Sequence, residues 1–306
     1  MAKNWTFENI PDLQGKTIIV TGGNSGLGYE SVKAFALKGA TVVLACRNLA
    51  KGEKAKNEIL KANPSGEIKV MQLDLASLAS VEAFAKKFAN EHKQLHVLLN
   101  NAGIMATPNV KTVDGFEAQL GTNYLGHYAL TGHLLPLLKA TSKSRVVNVS
   151  SLAHKGGKID FNDLMFEKGR KFKPMRAYAQ SKLANLLFAY QLQRFFEANT
   201  IDCIAVAAHP GGSNTRLAGH LETNRFVEAI SKIARGAMQP AAKGALPQIC
   251  ASVDPNVKGG DYFGPHGLGE LFGYPVLVKS NAASHNEKNA RKLWEVSEKL
   301  TGVKYA

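Results

Sequence analysis

The sequence predicts a single α/β domain built on a doubly wound parallel sheet, with about seven strands in the order 3-2-1-4-5-6-7 and helices on both faces. Three observations predict it. Short apolar, β-rich runs alternate with longer segments of helical apolar spacing, a glycine-rich turn joins the first run to the first helix, and no linker or repeat divides the 306 residues. α/β folds run to about 250 residues as one unit, so one domain over 1–306 fits, with an insertion at about 154–176 and a substrate lid at about 211–240.

The elements follow in order. Lys16 to Val20 is the first strand, and Tyr29 to Lys38 carries apolar residues at Val32, Phe35, Ala36 and Leu37, the spacing of a helix face. Gly39 stops that helix, Thr41 to Ala45 forms a second strand, and Asn48 can cap a charged helix to about Ala62. Strand Ile68 to Leu73, a helix from Ser77 to Glu91 and strand His96 to Leu99 continue the rhythm. A long helix near Phe116 to Lys139, strand Arg145 to Val149, a polar insertion through Pro174, a helix from Ala177 to Ala198 and strand Asp202 to Ala208 follow. The strands read as continuous apolar runs, as strands covered on both faces do. Past Pro210 the pattern breaks, and Ser284 to Glu287 reads as a capping box for a last helix through Trp294 to Leu300.

Composition excludes several classes. Hydrophobic residues at 45% and charged residues at 20% describe a globular chain with a sizeable core. The formal charge of +14 is dispersed: Lys51, Lys54, Lys56 and Lys61 interleave with Glu53 and Glu58 as on a solvated helix face. No nucleic-acid partner is expected from that pattern. Cys46, Cys203 and Cys250 lie in apolar surroundings without metal spacing, so reduced buried thiols and no metal are expected. Met1 to Asp12 holds no apolar signal region and no segment has the length of a membrane anchor, so a cytoplasmic enzyme without an anchor is expected.

The turn Thr21-Gly22-Gly23-Asn24-Ser25-Gly26-Leu27-Gly28 lies where a strand feeds a helix, so backbone N–H groups and the helix dipole favour a pyrophosphate. In this βαβ setting the glycines read as a Rossmann-type dinucleotide site, with Gly22, Asn24, Ser25, Gly26, Leu27 and Gly28 as its cradle. Such sites usually place an acidic residue at the end of strand two for the ribose hydroxyls. Here Cys46-Arg47-Asn48 stands there, and a guanidinium able to fork onto a 2′-phosphate makes NADP(H) the expected cofactor. Asp74 and Leu75 end strand three near the adenine position, where Asp74 is equally suited to begin a helix. Asn100-Asn101-Ala102-Gly103 closes strand four as cofactor wall and sheet support, with Asn101, Ala102 and Gly103 nearest the ligand.

Tyr178 and Lys182 are four apart on a helix and share a face. A free tyrosine titrates at about 10, and a neighbouring ammonium is expected to lower that value and prepare Tyr178 for proton transfer. Ser150 and Ser151 end strand five at the same sheet edge, where a hydroxyl could bond a substrate oxygen. Asn123 places an amide inside a helical stretch, unfavourable unless it has a task.

Together with His209-Pro210-Gly211, these motifs resemble the short-chain dehydrogenase/reductase family in order and spacing from about Gly15 to Gly302. Ala45-Cys46-Arg47, Asn148 to His154 and Ala290 to Trp294 are similar to its retinol dehydrogenase-like branch. The resemblance implies Ser151 as the catalytic serine, Tyr178 as the acid/base, Lys182 as the cation holding the ribose and Asn123 as a water-ordering amide. It also implies Pro210 and Gly211 at the nicotinamide side and Thr215 near the carboxamide or phosphate. The 27 positions from Ser151 to Tyr178 exceed the usual family spacing but fit this branch. The implied reaction interconverts a carbonyl and an alcohol by hydride transfer on a small molecule, in a homodimer or homotetramer pairing through the helix of Tyr178. A catalytically idle NADP-binding sensor or scaffold is the alternative, against which the complete catalytic set speaks. A light-driven reductase resembling protochlorophyllide reductase would need a proton-donor cysteine that the sequence does not place. Phe161, Leu164, Met165, Phe166, Phe172, Leu217, Leu221 and Phe226 suit either an apolar substrate pocket or core.

Overall fold

The structure, a computed structural model, describes residues 4–212 and 239–305. Eight strands form one sheet in the order β3-β2-β1-β4-β5-β6-β7-β8: β1 Thr17–Thr21, β2 Thr41–Cys46, β3 Ile68–Gln72, β4 Val97–Asn100, β5 Ser144–Val149, β6 Cys203–Ala208, β7 Tyr262–Pro265 and β8 Pro275–Leu277. The expected order is present, and β8 adds an antiparallel edge strand paired with β7. Helices α1 Gly26–Leu37, α2 Leu49–Leu60, α3 Leu78–Glu91, α4 Ala118–Leu120, α5 Gly126–Ala140 and α6 Pro174–Ala198 connect β1 through β6, with α4 and α5 together between β4 and β5. The short α7 Ala241–Gly244 and α8 Leu246–Val253 follow β6, and α9 Glu287–Thr301 is the last helix among the described residues.

Alternation along the strands divides the core into two layers. Ile18, Val20, Val42 and Leu44 pack with Val32 and Phe35 of α1, Ile59 of α2 and Ile249 of α8. Ile19, Val43, Leu98 and Val146 turn the other way, onto Phe84 and Phe88 of α3, Leu134 of α5 and Leu187 of α6. Because β1 to β7 run parallel, Thr21, Asn100, Val149 and Ala208 all end at one edge of the sheet. That shared edge is where this topology gathers ligands.

Three local expectations are corrected, and one left open is decided. The helix foreseen over 116–139 is broken by a π-type turn at Gly121–Leu125, which carries Asn123, and α5 starts only at Gly126. The Ser284–Glu287 capping box does not form: Ser284 Oγ donates to Asn281 O, and Asn286 caps α9 by accepting from Asn289 N. α6 starts at Pro174, since proline suits the first helical turn, where no N–H partner is needed. In the insertion, Leu164 and Phe166 are buried, and Phe161 and Met165 pack on the core, so these four serve as core. Leu217, Leu221, Phe226 and most of the lid foreseen at 211–240 lie outside the described residues.

From Ala177 to Tyr190, every residue of α6 is buried within one chain. α9 covers its outer flank, with Trp294 and Tyr305 packed around Phe188 and Tyr128 in tilted and edge-on contacts, and the Tyr305 hydroxyl donates to Tyr128 O at 2.7 Å. A second copy pairing on that flank would have to displace α9. The three cysteines are free and buried, and burial pushes the Cys203 thiol up to about 12. Among the described residues no helix is long and apolar enough to cross a membrane, and no group of His, Cys, Asp and Glu is arranged to hold a metal ion.

Candidate active site

The glycine turn after β1 has the shape that a dinucleotide requires. Gly22 and Gly26 adopt φ of 68° and 55°, which residues with a Cβ rarely hold. At Gly28 a Cβ would lie 2.3 Å from Gly22 O and 2.7 Å from Asn101 Nδ2, so only glycine lets α1 start against the turn. Ser25 precedes α1 without its side chain capping the first N–H groups, which leaves the positive helix end for an anion. Gly22, Asn24, Ser25, Gly26, Leu27 and Gly28 line one cavity of about 240 Å³ with Asn101, Ala102, Gly103, Val149, Ser150, Tyr178, Lys182 and Pro210. The residues present therefore fit a dinucleotide.

The adenosine end is more open. Arg47 is exposed at the end of β2 and enters no ion pair among the described residues, while Asn48 caps α2 by accepting from Lys51 N. Asp74 Oδ1 accepts from Ala76 N at 3.0 Å, so its carboxylate builds the turn into α3, the second of its two expected uses. Leu75 is buried against Gly126, where a Cβ would lie 2.3 Å from Leu75 O. Thr215 lies outside the described residues.

At the reacting end the structure separates the two serines. Ser150 Oγ donates to Lys182 O at 2.8 Å, which ties β5 to α6. Ser151 instead begins a 3-10 turn, Leu152–Gly156, where its Oγ accepts from Ala153 N at 3.2 Å and its hydroxyl lies where it favours the Tyr178 phenolate. Lys182 is 3% exposed, and its Nζ donates to Val149 O at 2.9 Å. A Cβ on Gly103 would stand 3.5 Å from that Nζ, so glycine keeps the space between them open. Asn123 commits both amide protons to protein acceptors, Ile104 O and Ser181 Oγ, each at 2.9 Å, while Oδ1 accepts from Ile104 N. Its side chain thus braces the Gly103–Ile104 segment against α6.

The expected lowering of the Tyr178 pKa by Lys182 is not found. Burial raises the Tyr178 hydroxyl above its ordinary value, against a smaller pull from the Ser151 hydrogen bond. Lys182 is itself brought down to about 8 by burial. Sequence spacing put the two side chains on one face but could not report how little water reaches either. At neutral pH Tyr178 is a phenol with a proton to give.

Two supporting residues escaped the sequence reading. Thr21 Oγ1 accepts from Asn101 N and Ala102 N, each at 2.9 Å, and so fixes the wall after β4. His127 Nδ1 lies 2.9 Å from Asn123 O, an atom that only accepts, so Nδ1 carries the ring proton. Nε2 is then an acceptor, and the Thr21 hydroxyl proton goes to it at 2.9 Å rather than to Leu99 O at 3.3 Å. Burial holds the His127 pKa down to about 4, in keeping with a neutral ring. Asn101 spends its amide on the protein, donating to Thr21 O and accepting from Gln248 Nε2. A threonine ending a strand and a histidine inside a helix carry no sequence signal that they meet.

Residues 16–163 match the family model described as short chain dehydrogenase. Retinol dehydrogenase 12 of Homo sapiens is 39% identical over 297 residues, 96% of this chain and 88% of the relative. Retinol dehydrogenase 13 of Homo sapiens is 37% identical over 301 residues, 95% of this chain and 86% of the relative. Among solved structures, an uncharacterised protein from Mycobacterium paratuberculosis superposes with a TM-score of 0.83 at 38% identity, covering 99% of this chain and 100% of that one. Pseudomonas aeruginosa RhlG, in a complex with NADP, shares the fold at a TM-score of 0.64 and 22% identity, over 82% of this chain and 94% of that one. With sheet order, glycine turn and the Ser151, Tyr178 and Lys182 cluster all in place, the chain belongs to the short-chain dehydrogenase/reductase family of oxidoreductases, in its retinol dehydrogenase-like branch.

Proposed function

We propose that this chain is an NADP(H)-dependent oxidoreductase that interconverts an apolar aldehyde or ketone and its alcohol. The observation that carries the reading is the meeting of Tyr178, Ser151 and Lys182 at the sheet edge, where Tyr178 and Lys182 line the same cavity as the glycine turn. The nicotinamide, when bound, supplies or accepts the hydride. Tyr178, kept protonated by burial, gives its proton to the substrate oxygen in reduction and is left as a phenolate; in oxidation that phenolate takes the proton of the alcohol. Ser151 donates a hydrogen bond to that oxygen and favours the charge that develops there. Lys182 supplies the positive charge that offsets the phenolate left on Tyr178 and reaches toward the ribose beside Gly103. An apolar substrate is supported by the relatives, which are retinol dehydrogenases by name.

NADP over NAD is supported by the exposed Arg47 at the end of β2 and by the lack of a carboxylate in Cys46-Arg47-Asn48. NADPH oxidation across aldehydes, ketones and quinones tests the reaction: Tyr178→Phe should lose at least about a hundredfold in rate. Equal rates in variant and wild type would sink the mechanism. Arg47→Asp should weaken NADPH binding about tenfold or more relative to NADH, since a charge-assisted hydrogen bond is lost. An unchanged preference would remove Arg47 from the cofactor site.

A further inference from the structure

One carboxylate beside the reacting end has no part in the mechanism above. Glu270 lies in the turn between β7 and β8 with φ of 61°, a left-handed conformation that a residue with a Cβ holds only when its surroundings require it. Its neighbour Gly269 takes the same region, φ 62°, without that penalty. The side chain of Glu270 meets two segments that flank the cavity, the one leading into Pro210 and the one that follows Ser150. Oε2 meets Nε2 of the buried His209 at 2.8 Å, and Oε1 accepts from Lys155 Nζ at 3.4 Å.

The His209 contact is directional. His209 Nδ1 accepts from Gly211 N at 3.2 Å, so Nδ1 is unprotonated and the ring proton sits on Nε2, facing the carboxylate. Gly211, at φ 64°, packs on the same turn: a Cβ there would lie 2.6 Å from Leu271 O and 2.7 Å from Glu270 O. Gly212 N donates to Leu271 O at 2.8 Å, and Gln239 Nε2 donates to Pro210 O at 3.0 Å. Lys155 belongs to the 3-10 turn that Ser151 begins, and His154 Nδ1 lies 2.7 Å from Ser151 O. A single carboxylate therefore joins the Pro210–Gly211 turn to the turn that carries Ser151.

We propose that Glu270 is a positioning residue: through His209 it sets the Pro210–Gly211 turn, and through Lys155 it holds that turn at a fixed distance from Ser151. The inference rests on the reading of Ser151 and Tyr178 as the reacting pair. The His209 arm is the stronger, because its ring is buried, whereas the Lys155 pair is half exposed and screened by water. A second-layer carboxylate that fixes a histidine tautomer acts on the reaction by placing other groups.

The test uses the full chain without added cofactor and follows amide hydrogen exchange in peptides covering 205–212 and 150–157. Glu270→Gly removes the carboxylate while suiting the left-handed backbone, so the backbone gain offsets part of the lost His209 hydrogen bond and the thermal midpoint should fall only slightly. Exchange should nonetheless quicken about tenfold or more in 205–212 and to a smaller extent in 150–157. Glu270→Gln, which retains an oxygen for His209 Nε2–H, should restore protection in 205–212 and leave only the 150–157 change. NADPH-dependent carbonyl reduction should follow the same order, with Glu270→Gly reduced about tenfold or more in kcat/KM and Glu270→Gln reduced less. Unchanged exchange in 205–212 for Glu270→Gly, or equal loss in both variants, would overturn the proposal. A wild type that reduces no carbonyl would instead count against the proposed reaction, and the exchange comparison would still decide the role of Glu270.

Discussion

Lys182→Met should make the protein more stable near neutral pH while removing its activity. Lys182 is 3% exposed, and burial takes its pKa from 10.5 to about 8. That gap corresponds to about 3 kcal/mol of cost for holding the ammonium in the fold. The sign follows from proton counts. Between pH 8 and 10.5 the unfolded chain binds the Lys182 proton and the folded chain does not, so wild-type stability rises with pH across that window. Below pH 8 the full cost is present. Methionine fills nearly the same volume without charge, and Val149 O keeps a donor in Asn185 Nδ2 at 3.0 Å. Losing the Lys182 hydrogen bond subtracts about 1 kcal/mol, leaving a net gain of about 2 kcal/mol at pH 7. Above pH 10.5 the variant should be the less stable by about 1 kcal/mol. Urea unfolding of both proteins from pH 6 to 11 measures the difference directly. A variant uniformly less stable, or a difference flat with pH, would refute the argument and place Lys182 in contact with water.

Two further outcomes are expected. Gly28→Ala should cost about 2 kcal/mol of stability and abolish dinucleotide binding, because the new methyl meets Gly22 O rather than a movable side chain; urea midpoints and NADPH fluorescence titration check both parts. Thr21→Val keeps the shape but leaves Asn101 N and Ala102 N without their acceptor, a loss of about 3 kcal/mol that Thr21→Ser should largely restore.

Much of the fold was legible because its strands are buried on both faces and so read as uninterrupted apolar runs, such as Thr17–Thr21 and Thr41–Cys46. The glycine turn was legible because its backbone demands, at Gly22 and Gly28, permit no other residue. The eighth strand was missed: Pro275–Leu277 is three residues long, begins with proline and has two of its three residues exposed, so no apolar period marks it. Ser151 and Tyr178 were readable from their motifs, but which serine faces the tyrosine depends on Ser150 turning to Lys182 O, a contact across 32 residues. Glu270 left no trace at all, because His209 is 61 residues away and the segment between has no regular pattern. Burial was the largest error of degree. Spacing places Tyr178 and Lys182 together, yet the sign of each pKa shift comes from the solvent excluded by α6 and its neighbours.

The covering of α6 by α9 also orders events in time. Phe188 and Tyr128 find their aromatic partners in Trp294 and Tyr305, more than a hundred residues later in the chain. As the polypeptide emerges from its N-terminus, the glycine turn and its strands can assemble early. The helix carrying Tyr178 keeps an apolar flank open until the segment through Tyr305 has been made. Nascent chains halted before α9 should therefore hold a formed nucleotide cradle beside an unsealed catalytic helix, and that interval is when this protein most depends on protection from aggregation.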